Sequence, residues 1–336
     1  MSSRILTAVL APVAVVMLVP GVALGQSKAS SSRQANWQQS KTAWGDPDMQ
    51  GIWNNVTATP LQRSDALKDK ATLTSQEVAE FEQQAADQRN ANEAKPVAEQ
   101  SVGSRTGYST LVWFETGYKL SDGRTSLLLQ PKDGKLPALT PAAQKITEQQ
   151  AAARKASPAD RPEDRGPYER CITRGLPGAM MPGFYNHNYQ ILQVPGYVVI
   201  SVEMIHDARI IPMDGRSHVP SDIKQWLGDS RGHWEGNTLV VETTNLRDVD
   251  QRNVAVFGTT ERGKVTERFT RLGPDVMDYQ ITVDDPAWYT ASWTASIPMS
   301  KVEGPLYEYA CHEGNYGLPN ILSGHRQEER EAAMKK

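Results

Sequence analysis

From Tyr185 to Ala310 the apolar residues recur with a period of two, and Gly, Pro, Asn and Asp cut the stretch into short pieces. This pattern restricts the chain more than any other feature. A strand sends successive side chains to opposite faces, whereas a helix repeats every 3.6 residues, so a period of two reads as strand. The reading places strands at 188–194, 197–204 and 208–213, then at 238–245, 264–272, 276–284, 291–302 and 305–310. Pro195-Gly196, Asp214-Gly215, Trp234-Glu235-Gly236-Asn237 and Gly273-Pro274-Asp275 supply the turns. Strands joined in sequence by short turns favour an up-and-down antiparallel sheet, and closure into a barrel removes its exposed edges.

The residues before this region read differently. Arg4 and an apolar run from Ile5 to Val19, then Pro20-Gly21 and Ala23-Leu24-Gly25, have the order of a secretory signal peptide over residues 1–25. The alternative is a membrane anchor, but the run is short and holds Pro12. Cleavage would leave no membrane-inserted segment and a periplasmic or secreted chain. Residues 26–43, rich in Ser, Gln and Lys, form an expected disordered leader. Residues 44–184 are expected to give a short strand at Gly51-Ile52-Trp53 and two helices packed on a barrel core at 185–325. A capping box, Thr74-Ser75-Gln76-Glu77, opens the first helix over about 75–91. Thr140 caps the second, with Pro141 in its first turn. A third, short helix is expected from Ser221 to Leu227, and residues 326–336 form a polar tail.

In an oxidising compartment two cysteines pair, so Cys171 and Cys311 are expected to form a disulfide. The formal net charge of −3 gives no footprint for nucleic acid. No glycine-rich phosphate loop is present, so no nucleotide cofactor is expected.

Gly51-Ile52-Trp53 ahead of a β-meander resembles the opening of the lipocalin and calycin group, which implies a lipocalin-like barrel. A second resemblance spans most of the mature chain. Trp44-Gly45-Asp46-Pro47-Asp48, Gly123-Arg124-Thr125-Ser126, the run Glu203 to Arg209, the run Gln225 to Gly232 and the run Tyr307 to Tyr316 are similar to a family of uncharacterised secreted bacterial proteins. That resemblance implies secretion and a shared fold.

Three groups of residues could carry chemistry. Glu203, Asp207 and Arg209 share parity with Tyr197 and Ser201, opposite Val198, Ile200, Val202 and Met204. This suits a polar lumen inside an apolar outer wall; it equally suits a solvent face with Asp207 and Arg209 as a structural ion pair. His312 and Glu313 follow Cys311, and a histidine near a carboxylate serves as a general base. The other reading is a histidine bonded to backbone beside the disulfide. Trp226 and Tyr309 are candidates to line a binding cavity, while most neighbouring aromatics are expected in the core. The six histidines lack the spacing of a metal site, so no metal is expected. Gly228-Asp229-Ser230-Arg231-Gly232 matches the hydrolase string without its strand–turn–helix context.

The expected function is an enzyme acting on a small polar or aromatic molecule by side-chain acid–base chemistry: a lyase, isomerase or hydrolase. His206, His312, Glu203 and Glu313 would carry the chemistry; Arg209, Asp207, Trp226 and Tyr309 would hold the substrate. The alternative is a lipocalin-like carrier without catalysis.

Overall fold

The computed structural model describes residues 37–93, 117, 119–120, 122–183, 185–247 and 259–335. The expected signal peptide at 1–25 and most of the expected leader at 26–43 lie outside them. At the start of the described chain, Lys41 bridges to Pro47.

The chain folds into a mainly β, antiparallel, nearly closed barrel. The strands are β1 (Gly51–Asn54), β2 (Leu128–Gln130), β3 (Asn188–Val194), β4 (Tyr197–Val202), β5 (Ala208–Pro212), β6 (Asp229–Glu235), β7 (Thr238–Thr244), β8 (Lys264–Arg271), β9 (Val276–Asp284) and β10 (Trp293–Val302). Around the sheet the order is β5-β4-β3-β1-β10-β9-β8-β7-β6, with β2 attached to β10. Apart from β2, and from β5 and β6 at the two ends, sequence neighbours are spatial neighbours, and β1 joins the last strand, β10, to β3. Ile52 pairs with Val302 on one side and Gln190 on the other.

The two ends of this order, β5 and β6, meet without a ladder among the described residues. At one end of this seam the strands touch. A Cβ on Gly232 would collide with Met213 Sδ and lie 2.9 Å from Ile211 Cγ2. A larger residue there would push the Met213 and Ile211 side chains aside.

Among the described residues three α-helices accompany the barrel: α1 (Ser75–Glu93), α2 (Pro141–Ala156) and α3 (Gly317–Met334). The expected capping box closes α1: the Glu77 backbone N–H donates to Thr74 Oγ1 at 3.3 Å, and the Thr74 N–H donates to Glu77 Oε2 at 2.9 Å. Thr140 Oγ1 accepts from the Ala143 N–H at 3.1 Å and starts α2, as the sequence predicts. The α3 helix runs into the segment expected as a polar tail.

Other expectations are corrected. Residues 221–227 form turns and one bridge, Gln225 to Leu246, not a helix. The Asn245 side chain holds this stretch in its turn conformation: its Nδ2 donates to the carbonyls of Val219 and Pro220, just before it, and of Ile223 within it. The Gly-x-Ser-x-Gly string belongs to β6 and its preceding turn rather than to a loop. Residues 305–310 form no strand, since both edges of β10 are already taken by β9, β1 and β2.

The inner face is mostly apolar, which decides against the reading of a polar lumen inside an apolar outer wall. Tyr189, Ile191, Val198, Ile200, Val202 and Ile211 are buried from one half of the barrel, and Val265, Phe269, Ile281, Val283 and Ile297 from the other. Trp53 and Trp293 are fully buried, whereas Tyr307 is 72% exposed. Each large buried side chain contributes about 1.5–3 kcal/mol of transfer free energy. Arg209 joins this apolar side because its partner on β4 is Ile200. Between the strands, Ile205 (φ 64°) and His206 (φ 48°) are both left-handed, which resets the parity.

Candidate functional site

The predicted site residues divide between two places. The first is the rim beneath the disulfide. Cys171 and Cys311 are bonded, with their Cα atoms 5.8 Å apart. The bridge pins the 305–316 segment against the turn that joins β4 to β5. There His206 Nδ1 lies 3.0 Å from the Tyr309 carbonyl oxygen. A carbonyl only accepts, so Nδ1 carries the proton and Nε2 is left for other partners. The His206 and His312 rings lie 6.5 Å apart, centre to centre, and both side chains are exposed.

The carboxylates around them behave differently from one another. Glu203 is buried, and its Oε2 accepts from the Asn188 N–H at 3.2 Å and from Asn188 Nδ2 at 2.9 Å. It fastens the turn and shares no face with His312. Asp207 is half-buried and accepts from Thr173 Oγ1 at 3.0 Å. Burial raises its pKa; the Thr173 hydrogen bond and the nearby His206 oppose that shift. Glu313 is exposed and has no hydrogen bond or ion pair among the described residues. Burial also raises the pKa of the Tyr309 phenol, whose ring lies 6.4 Å from that of Tyr185. The structure thus brings together His206, His312, Asp207 and Tyr309, and sets Glu203 apart from them.

The second place is the other end of the β5–β6 seam. A pocket of about 590 Å³ opens where the strands part, lined by Ala208, Arg209 and Ile210 of β5, Asp229 and Ser230 of β6, the 224–228 turn and Arg247. It unites Arg209 and Trp226, both predicted to hold substrate. The Arg247 guanidinium sits 4.5 Å from the centre of the Trp226 ring. Gly228 adopts a left-handed conformation (φ 69°), and a Cβ there would lie 2.5 Å from the Thr244 carbonyl oxygen.

Arg209 is not paired with Asp207. It crosses the barrel wall to Glu267 on β8, with Nη1 at 2.9 Å from Oε1 and Nη2 on Oε2. Tyr279 Oη donates to the same carboxylate at 2.9 Å, and Ser230 and Thr243 stand 3.4 Å from Nη2. Burial alone would depress the Arg209 pKa, but the Glu267 carboxylate outweighs it and raises it. Arg209 Nε is buried and has no acceptor. Glu267 and Tyr279 were missed from the sequence, because each sits at an inward position of a strand that otherwise alternates normally.

Ser230 is no nucleophile elbow. Its hydroxyl lies in β6, 2.8 Å from Thr243 Oγ1. His218 binds Asp229 instead, with Nδ1 to Oδ2 at 2.8 Å, and Arg231 Nη1 reaches Asp229 Oδ1 at 2.7 Å. Burial opposes ionisation of Asp229, but these bonds and the Val219 N–H outweigh it and lower its pKa. Asp160, His325 and Glu329 bring ligand-type atoms within 4.8 Å of one another on the outside of the molecule. Arg326 already occupies Asp160 at 3.0 Å. Among the described residues no helix is long and apolar enough to cross a membrane.

No family model matches the chain. No curated protein matches it either. Among solved structures, it is similar to a secretary abundant heat soluble (SAHS) protein from Ramazzottius varieornatus at 13% identity, over 41% of this chain and 87% of that one, with a TM-score of 0.24.

Proposed function

We propose that the protein binds a small polar or aromatic molecule in the β5–β6 pocket, as a lipocalin-like carrier in the periplasm or outside the cell. The observation that carries this reading is the 590 Å³ pocket in which Arg209 and Trp226 converge between strands that do not pair. Its volume lies in the range that encloses small ligands. The disulfide and the secreted-family motifs support the location. No cofactor or metal is needed. The test is a thermal-shift screen of small carboxylates and aromatics, repeated on Trp226→Ala. A ligand present at 100 times its Kd stabilises the folded state by about 2.7 kcal/mol. No shift across the panel, or equal shifts with Trp226→Ala, rejects the reading.

A second reading keeps catalysis at the rim. It is favoured by His206, whose Nε2 is left open, standing beside His312. The two histidines would carry protons for a lyase, isomerase or hydrolase step, with Asp207 rather than Glu203 as the near carboxylate and Glu313 exposed for substrate contact. Turnover that survives the His206→Ala/His312→Ala double substitution would end this idea.

A further inference from the structure

The backbone of β5 suggests what the pocket takes. The Val202 N–H donates to the Asp207 carbonyl at 2.8 Å, and the Met213 N–H to the Gly196 carbonyl at 2.9 Å. In an antiparallel ladder, backbone groups alternate sides residue by residue. Asp207, Arg209, Ile211 and Met213 therefore turn their N–H and C=O groups to β4. Ala208, Ile210 and Pro212 turn theirs to the seam. Pro212 has no N–H, and the strands touch at that end through Gly232. The open edge is thus two residues long, Ala208 and Ile210, and both line the pocket. Their seam-side groups have no partner among the described residues.

The charge around this edge is positive. Arg209 is neutralised by Glu267, and Asp229 by Arg231. Arg247 has no carboxylate partner among the described residues, and Lys224 meets only the backbone carbonyl of Glu261, at 3.1 Å. Two cations therefore flank a short free strand edge, and Ile210 is 66% exposed beside it.

We propose that the pocket takes a short extended peptide with a free carboxylate, which adds to β5 at Ala208 and Ile210 while Arg247 and Lys224 hold the carboxylate. This deepens the carrier reading and rests on it. Strand addition takes its affinity from main-chain hydrogen bonds and its register from the two-residue repeat. Residues i and i+2 of the peptide meet Ala208 and Ile210, about 6.8 Å apart along the strand.

The probes are acetyl-trialanine, its C-terminal amide, and an unbranched carboxylate of equal length without amide groups, each titrated by calorimetry. Acetyl-trialanine is expected to bind at least about tenfold tighter than either control, the order of a hydrogen bond lost with its partner stranded. Ala208→Pro should remove that advantage. Asp207 is already extended (φ −63°, ψ 135°), as a residue before proline must be, and the lost N–H is not a ladder donor. Lys224→Gln/Arg247→Gln, at surface positions, should erase the preference for carboxylate over amide even if Ala208→Pro does not fold. Equal binding of the amide-free carboxylate, or unchanged peptide affinity in Ala208→Pro, overturns the peptide class and leaves the pocket reading standing. Failure of all three probes overturns both.

Discussion

Arg209 carries a full charge into the barrel wall because Glu267 meets it with both oxygens and Tyr279 completes the carboxylate's bonding. Such a pair is costly to break and cheap to replace. Glu267→Gln is expected to destabilise the fold by about 3–5 kcal/mol in denaturant melts, because it strands a buried cation. Arg209→Met/Glu267→Met should recover most of that loss. Asp207 works in the opposite sense. Its folded-state pKa is raised by burial, so the stability it contributes is fully present below its unfolded value and is lost as pH rises through the folded one. Asp207→Asn keeps an acceptor for Thr173 and should raise Tm at pH 7, with the gain vanishing toward pH 3. The sequence shows that Arg209 matters but assigns it to the wrong face. Two consecutive left-handed, non-glycine residues at 205 and 206 leave no mark in a hydrophobic pattern, and the long-range partner Glu267 leaves none either.

At the scale of elements, the hairpins β3–β4 and β8–β9 were legible because alternation and turn residues agree there. β6 was not, since Arg231 and His233 face outward and Gly232 carries no side chain to mark the inward face. The false helix at 221–227 arose because the segment is tied down by a side chain distant in sequence, Asn245, which binds the carbonyls of Val219, Pro220 and Ile223. The same turn holds Gly228, whose left-handed φ and contact with the Thr244 carbonyl exclude a Cβ. Gly228→Ala is expected to cost about 1–3 kcal/mol and to weaken ligand binding with it, because the turn forms one wall of the pocket. Melts with and without ligand would show both losses. A substitution that lowers Tm while leaving affinity intact would separate the turn from the site.

For the whole molecule, mainly β class and disulfide pairing followed from the pattern of the chain, while the seam did not. Closure depends on how far two strands part, and no local sequence encodes that. The Cys171–Cys311 bridge closes a loop with a sequence separation of 140. Cys171→Ser/Cys311→Ser is expected to lose about 2–5 kcal/mol. Reductant should lower the Tm of the wild type toward that of the variant and leave the variant unchanged.

β1 gives the barrel an unusual relation to time. Its four residues leave the ribosome before every other strand, yet both of its partners, β3 and β10, are encoded far downstream. The meanders on either side can form from neighbouring hairpins, whereas β1 must wait for the last strand to be made. Contacts between distant segments are slow to form because the intervening loop must first be closed. Of the described strands, β1 is thus the first in the chain and the last to gain both of its neighbours.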